Sequence, residues 1–412
     1  MRATDSWDIE SFRVESSSDD LTSVEVVMAA ERLGIDVRAT SRDGSWLVMC
    51  GDAIRLPVLE GLGSLDGCNS AFDSLSTLNI EKHTANSFAA IPFDPTKPFE
   101  LVIPRIEIKG SDLHPPEVRV YGNAEERSEA IRTSEKLLSA ASEAVSSAGP
   151  VLAERVYDAG ADSWIKMVED ALGLIETKQL RKIVLSRSAR FRLAADATPT
   201  SAFARFAERY PRATSYLHGH YAGASPELVL AISNGTVRSS PLAGTKRKSS
   251  AGVLSDSEKD SREHHIVVEQ ITSALREYCS DISYPPRPSV IGFGPIQHLM
   301  TAITGRIQPG VNPLAVASTV APTAAVGGDP KREAIEQIAR IESEPRSLYG
   351  GLIGTISGDG SCELHLALRN VCIADGTARI RTGVGIVAGS NPQAELAETE
   401  AKIESVLSAL TS

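Results

Sequence analysis

Two short segments far apart in the chain carry carboxylates at a spacing that suits a divalent cation. In the first, Asp260, Glu263 and Val267 follow an i, i+3, i+7 rule on what reads as an amphipathic helix. In the second, Glu395 and Glu398 are three apart, with Lys402 one turn on. A few hard carboxylate oxygens suit Mg²⁺, which keeps several waters and shares its shell with an anionic substrate. Such pairs also occur on solvated helix faces, so spacing alone leaves surface charge open.

Proton-transfer groups are the next candidates. Lys182 starts an apolar run, Ile183-Val184-Leu185, and is either an edge charge or a functional amine. A lysine base needs its pKa drawn down from about 10.4 by burial or by neighbouring cations such as Arg181 and Arg187. Glu227 follows the turn Gly223-Ala224-Ser225-Pro226 at the mouth of an apolar run. A carboxyl desolvated there would hold its proton towards neutrality, whereas one that merely caps the turn would not.

Anion-binding candidates complete the set. Gly244 and Thr245 sit beside Lys246 and Arg247 in a plausible carboxylate-binding turn, and Gly383 and Gly385 would let backbone N–H groups approach an anion. The glycine pair lacks the rest of a dinucleotide-binding loop. Arg369, after Leu366-Ala367-Leu368, could offer a bidentate fork, and His298 is an active-site hydrogen bonder or a satisfied core histidine.

These groups need elements to hold them. Strands are expected around Trp46–Met49, Leu101–Ile103 and Val118–Tyr121, punctuated by Pro104 and Pro115-Pro116, and a helix over Ser128–Ser147. Gly149-Pro150 is the best internal break, dividing residues 1–150 from a catalytic region at 151–412. Trp164, Met167, Val168, Ala171, Leu172 and Ile175 recur at helical period, and the chain then turns β-like at Ile183. Further strands are expected at Thr214–Tyr221, Leu228–Ile232, Leu364–Leu368 and Ala378–Thr382, with helices near Ser257–Tyr278, Lys331–Ile341 and Gln393–Leu410. The mixture is α+β with antiparallel hairpins, and no repeat points to a solenoid.

Composition narrows the function. At 412 residues, 42% hydrophobic and 23% charged, the chain has ordinary globular usage. Its net charge of −11 argues against nucleic acid or anionic membrane as a partner. Five scattered cysteines without C-x-x-C spacing suggest neither zinc nor a disulfide framework, and a reducing cytoplasm fits. The polar start Met1-Arg2-Ala3-Thr4-Asp5 has no signal-peptide core, and no apolar run reaches membrane-spanning length.

In this order, KIVLSR, GASPELVL, PLAGT, SEKDSREHH, IQHL, PTAAVGGDPK, EPRSLYGGLIG, LALRN, GVGIV and AETEAK resemble the chorismate-utilising enzymes, a family of isochorismate, salicylate, anthranilate and aminodeoxychorismate synthases. The likeness covers roughly residues 160–410, and the first 150 carry no recognised motif. It implies one large domain of two stacked, mostly antiparallel sheets flanked by helices, with the site between them and the N-terminal region part of the same fold. Lys182 matches the family's general base and Glu227 its general acid. Glu263 and Glu398 match the Mg²⁺ ligands, with Asp260 and Glu395 beside them, and His298 stands in the active site. Thr245, Gly244, Ala325, Tyr349, Arg369, Gly383, Gly385 and Lys402 would bind substrate.

The branch is read from fewer residues. Ala243 stands where aminodeoxychorismate synthases place a lysine. Ala325 stands where ammonia users and salicylate synthases place threonine and isochorismate synthases alanine. Glu344-Pro345-Arg346-Ser347-Leu348-Tyr349 looks more like the salicylate-synthase wording, and Val320-Ala321 replaces the family's usual pair before the P-T corner. The expectation is an Mg²⁺-dependent isochorismate synthase, acting as a monomer on chorismate. Salicylate synthase, an ammonia-using enzyme with a separate amidotransferase partner, and a non-catalytic anion-binding relative stay as alternatives.

Overall fold

The structure is a computed structural model and describes residues 7–13, 21–78, 84–111, 114–143, 149–158, 160–249 and 254–411. The residues expected to lack a signal peptide, 1–5, and the end of the expected 128–147 helix lie outside these. Nineteen strands join in one hydrogen-bonded network, and three more, Leu242–Arg247, Ser289–Phe293 and Ile296–Met300, form a small separate sheet. Every described pairing that carries the site is antiparallel. Helices flank the sheets, as the α+β reading requires.

The large network has two halves that share one ribbon. Strands Ser45–Val58 and Phe99–Ser111 pair along their whole length, with a bulge between Asp52 and Ile54 opposite Pro104. On one side of the bulge the ribbon continues through Val37–Arg42, Thr214–His218, Tyr221–Ser225, Asn370–Ala374 and Thr377–Val387 to Lys182–Leu193. On the other it continues through Asn86–Ile91, Leu352–Ser357 and Cys362–Leu366 to Leu228–Ser233. Two apolar cores pack on the network, one around Trp164, Leu101 and Leu352 and the other around Phe203, Phe206 and Val120, and strands Lys182–Leu193 and Thr377–Val387 contribute to both.

Several expectations need correcting. Pro104 does not end a strand but lies inside Phe99–Ser111, where the bulge tolerates a residue that has no N–H to give. Residues before 150 hold helices at Ser23–Arg32 and Leu65–Ser76 as well as Ala124–Ser142, where strands and one helix were expected. Thr214–Tyr221 is not one strand but the first arm of a hairpin, turning at Gly219 and returning over Tyr221–Ser225. Gly383 and Gly385 lie inside the long strand Thr377–Val387, and the Gly244 segment is a strand broken by an irregularity at Gly244, whose φ is 72°. Strand pairings join the two sides of the Gly149-Pro150 position: Val37–Arg42 pairs with Thr214–His218, and Asn86–Ile91 with Leu352–Ser357.

The functional helices form where expected. Ser257 caps Glu258–Leu275 through the N–H of Asp260, so Asp260 falls in the first turn and Glu263 a turn later on the buried face. Asn391 caps Pro392–Leu410, which buries Glu395, Thr399 and Lys402. Among the described residues no helix is long and apolar enough to cross a membrane.

Candidate active site

One cleft gathers most of the candidates. Glu227, Gly244, Thr245, Glu263, His298, Ala325, Tyr349, Arg369, Gly383, Gly385 and Lys402 all line it. It encloses only about 50 Å³, enough for a water or two and well short of the roughly 300 Å³ of an ordinary ligand pocket. Lys182, fully buried at the start of its strand, reaches this wall through its partner: Nζ lies 3.1 Å from Glu263 Oε1.

One wall is a chain of neutral and cationic groups around Glu227. Burial pushes the Glu227 pKa up to about 8, against the pull of the Leu242 N–H and of Lys182, Arg369 and Lys402. Its Oε1 makes no hydrogen bond. Arg369 is buried, has φ 48°, and forms no ion pair among the described residues. Its Nη2 lies 3.0 Å from His298 Nε2. A guanidinium can only donate, so Nε2 accepts and the ring proton sits on Nδ1, which donates to the Gly244 carbonyl at 3.2 Å, with Thr245 Oγ1 at 3.1 Å. Burial, then the charges of Arg369 and Lys402, hold the imidazole pKa well below its usual range. His298 is therefore a neutral strut under Arg369.

The opposite wall interleaves acids with lysines. Burial alone would raise Glu263, but Lys182, Lys259 and Lys402 together hold its carboxyl below the ordinary value. Lys402 Nζ lies 2.7 Å from Glu398 and donates to the Gly383 carbonyl at 2.8 Å. Lys259 pairs with buried Glu395 at 2.5 Å. Burial and Glu398 push Glu395 up to about 6 despite that lysine. Asp260 is likewise raised, by burial first and then by Glu263 and Glu398.

Among the described residues no three acidic, histidine or cysteine side chains converge closely enough to form a metal centre by themselves. The donor set nevertheless fits Mg²⁺: the oxygens are hard, and Asp260 and Glu395 are pushed up by burial first and then by neighbouring carboxylates, a crowding that a divalent cation would relieve. The two glycines in the floor strand serve by having no side chain. A Cβ on Gly385 would come 2.1 Å from Glu263 Oε1 and 2.9 Å from Lys182 Cε. One on Gly383 would come 2.8 Å from the Leu185 carbonyl and 3.0 Å from Tyr349 Oη.

The chain's membership follows from comparison. The profile of the chorismate binding enzyme family matches residues 101–411. The chain belongs to the chorismate-binding enzymes. It is 30% identical over 332 residues to isochorismate synthase EntC of Escherichia coli K12, covering 77% of this chain and 79% of that one. Over 264 residues it is 32% identical to isochorismate synthase MenF of Bacillus subtilis 168, covering 60% of this chain but 55% of the relative, about half its length. The structure of MenF, the menaquinone-specific isochorismate synthase from Escherichia coli, superposes with a TM-score of 0.81 at 22% identity, covering 99% of this chain and 96% of that one, a likeness of fold.

In this chorismate-binding enzyme, sequence reasoning missed the residues that brace the site. Arg346 lies in the Glu344–Tyr349 motif, whose residue types say nothing of a bracing role. It donates from Nη1 to the Val326 carbonyl and from Nη2 to the Val184 carbonyl, both at 2.6 Å, while Nε holds Glu342. Val184 and Val326 are cleft walls, so one buried cation stitches two of them together. Lys259 sits inside the SEKDS block, one position before Asp260, and its partner could be found only in three dimensions. Gln270 Oε1 accepts the Ala324 N–H at 2.5 Å and so anchors the corner that presents Ala325 to the helix of Glu263.

Proposed function

We propose that this chain is an isochorismate synthase that converts chorismate to isochorismate with Mg²⁺ as cofactor. The observation that carries the reading is Glu227, a buried carboxyl protonated near neutral pH, in one cleft with an arginine that lacks a carboxylate partner. An acid that keeps its proton at neutrality can release a poor leaving group such as hydroxide, and an unpaired buried guanidinium calls for an anion. Lys182, once its ammonium has given a proton to solvent, takes a proton from the water that attacks C2 of the ring. The two ring double bonds shift, and the C4 hydroxyl leaves as water with the proton of Glu227. One water enters and one leaves, so the change is an isomerisation. Mg²⁺ held by Glu263 and Glu398, with Asp260 and Glu395 behind them, would anchor the ring carboxylate and offset its charge. Arg369, braced by His298, and Lys402 would orient the remaining carboxylate, with Thr245 and Tyr349 on the ring's flanks.

Isochorismate is favoured over salicylate or an aminated product by Ala325 in the cleft wall and by relatives that bear the isochorismate synthase name. Five free thiols, four of them buried, agree with action in the cytoplasm. Chorismate and Mg²⁺ incubated with the purified chain should yield isochorismate on product separation. Salicylate plus pyruvate would reject a pure isochorismate synthase, an aminated product with ammonium would reject water as nucleophile, and unchanged chorismate would reject the reading altogether.

A further inference from the structure

A second and larger cleft, about 560 Å³, adjoins the catalytic one at Pro226, which lines both. Three exposed arginines, Arg42, Arg209 and Arg212, rim it. Arg42 shares its charge with Asp43 at 3.3 Å, whereas Arg209 and Arg212 form no ion pair among the described residues. A fourth cation is close, since a Cβ on Gly292 of this cleft would meet the Lys248 amine at 2.9 Å. The back wall is the stacked pair Tyr210 and Phe293, with ring centres 4.1 Å apart, and the Arg369 guanidinium lies over the same Phe293 ring at 5.6 Å. Cations at the rim and an aromatic face within make a site for a small anion with a flat, apolar body.

The molecule needs such a place. With a net charge of −11 it repels a dianion at long range, so a local cluster of cations is needed to gather one. Clustered positive charge beside a low-dielectric wall raises the local concentration of an oppositely charged ligand. We propose that the Arg42–Arg209–Arg212 cleft is an anteroom that binds a small cyclic dicarboxylate before it passes Pro226 into the catalytic cleft. The identity of that dicarboxylate rests on the proposed function; the anion site does not.

Isophthalate, an unreactive aromatic dicarboxylate, separates the two ideas. Calorimetric titration of the full chain at low ionic strength should show two sites, and the double variant Arg209→Gln, Arg212→Gln should lose one of them, while neutral isophthalamide gains neither. Both arginines are exposed and outside the catalytic set, so melting curves of the variant should match the parent. If the reaction proceeds as proposed, the double variant should lose about threefold to tenfold in kcat/KM for chorismate at low salt, keep its kcat, and show a flattened salt dependence. Isophthalate binding that is the same in the double variant as in the parent, or no binding in the parent, overturns the anteroom. Absent turnover with two isophthalate sites present would overturn the proposed reaction and leave the anteroom standing.

Discussion

Glu227 and Glu263 face one cleft and are both buried, yet their surroundings drive them in opposite directions. Glu227 has a backbone N–H and distant cations, so desolvation wins and the proton stays on. Glu263 has Lys182 at 3.1 Å with Lys259 and Lys402 behind, so charge wins over desolvation and the carboxylate persists. The same side chain is thus held protonated on one wall and ionised on the other, decided by how close the nearest ammonium stands, as the proposed acid and the proposed metal ligand require.

The contrast can be broken from either side. Lys182→Ala should have the largest effect: turnover of chorismate falls below detection while circular dichroism shows the fold retained, and a surviving rate would remove the base from the mechanism. The substitution also strips Glu263 of its nearest cation, so a loss of a few kcal/mol in denaturant stability is expected. Glu227→Gln should lower kcat by about 10² to 10⁴ and abolish a decline in rate that the parent shows as pH rises through about 8. The stability sign follows from the raised pKa. The folded chain keeps a proton that the unfolded chain releases above about 4.5, so the parent loses stability between there and about 8. Thermal unfolding should therefore show Glu227→Gln gaining on the parent as pH rises from 5 to 8, and an equal difference at both ends would refute the buried-acid assignment.

Smaller perturbations sharpen the comparison. Glu263→Gln should raise the Mg²⁺ concentration needed for half-maximal rate by about 10-fold or more, and an unchanged metal titration would sink its role as ligand. Gly385→Ala keeps every polar group but drives a methyl into Glu263, so it should raise the Mg²⁺ concentration needed for half-maximal rate as well, by less. His298→Gln should raise KM for chorismate several-fold with little change in kcat, since the imidazole braces Arg369 and carries no charge of its own.

How much of this was readable beforehand differs by residue. Lys182 and Glu227 were legible because each stands at the mouth of an apolar run, and the run's burial is what shifts Glu227. The acidic helices were legible from their i, i+3 spacing. The lysine beside each acid was not, because Lys182 meets Glu263 and Lys259 meets Glu395 only after the strands and helices pack. Helix Ser23–Arg32 was announced by Thr22 and Glu25, which form a capping box, and was overlooked among β-rich neighbours. Helix Leu65–Ser76 gave a weaker sign, since it buries only Cys68, Ala71 and Leu75. Gly383 and Gly385 looked like a turn because two glycines usually are one. Here the strand needs them where a lysine and a glutamate cross its face.

The ribbon of Ser45–Val58 and Phe99–Ser111 bears on how this molecule can be cut or rebuilt. Every catalytic candidate follows residue 180, which invites excision of the preceding chain as a separable leader. Yet Val37–Arg42 edges Thr214–His218 and Asn86–Ile91 edges Leu352–Ser357. A truncated enzyme would carry two raw, sticky borders, and its failure would be self-association and inclusion bodies before any loss of chemistry. Directed evolution, domain fusion or circular permutation of this scaffold should therefore treat the motif-free region as the weld between its halves.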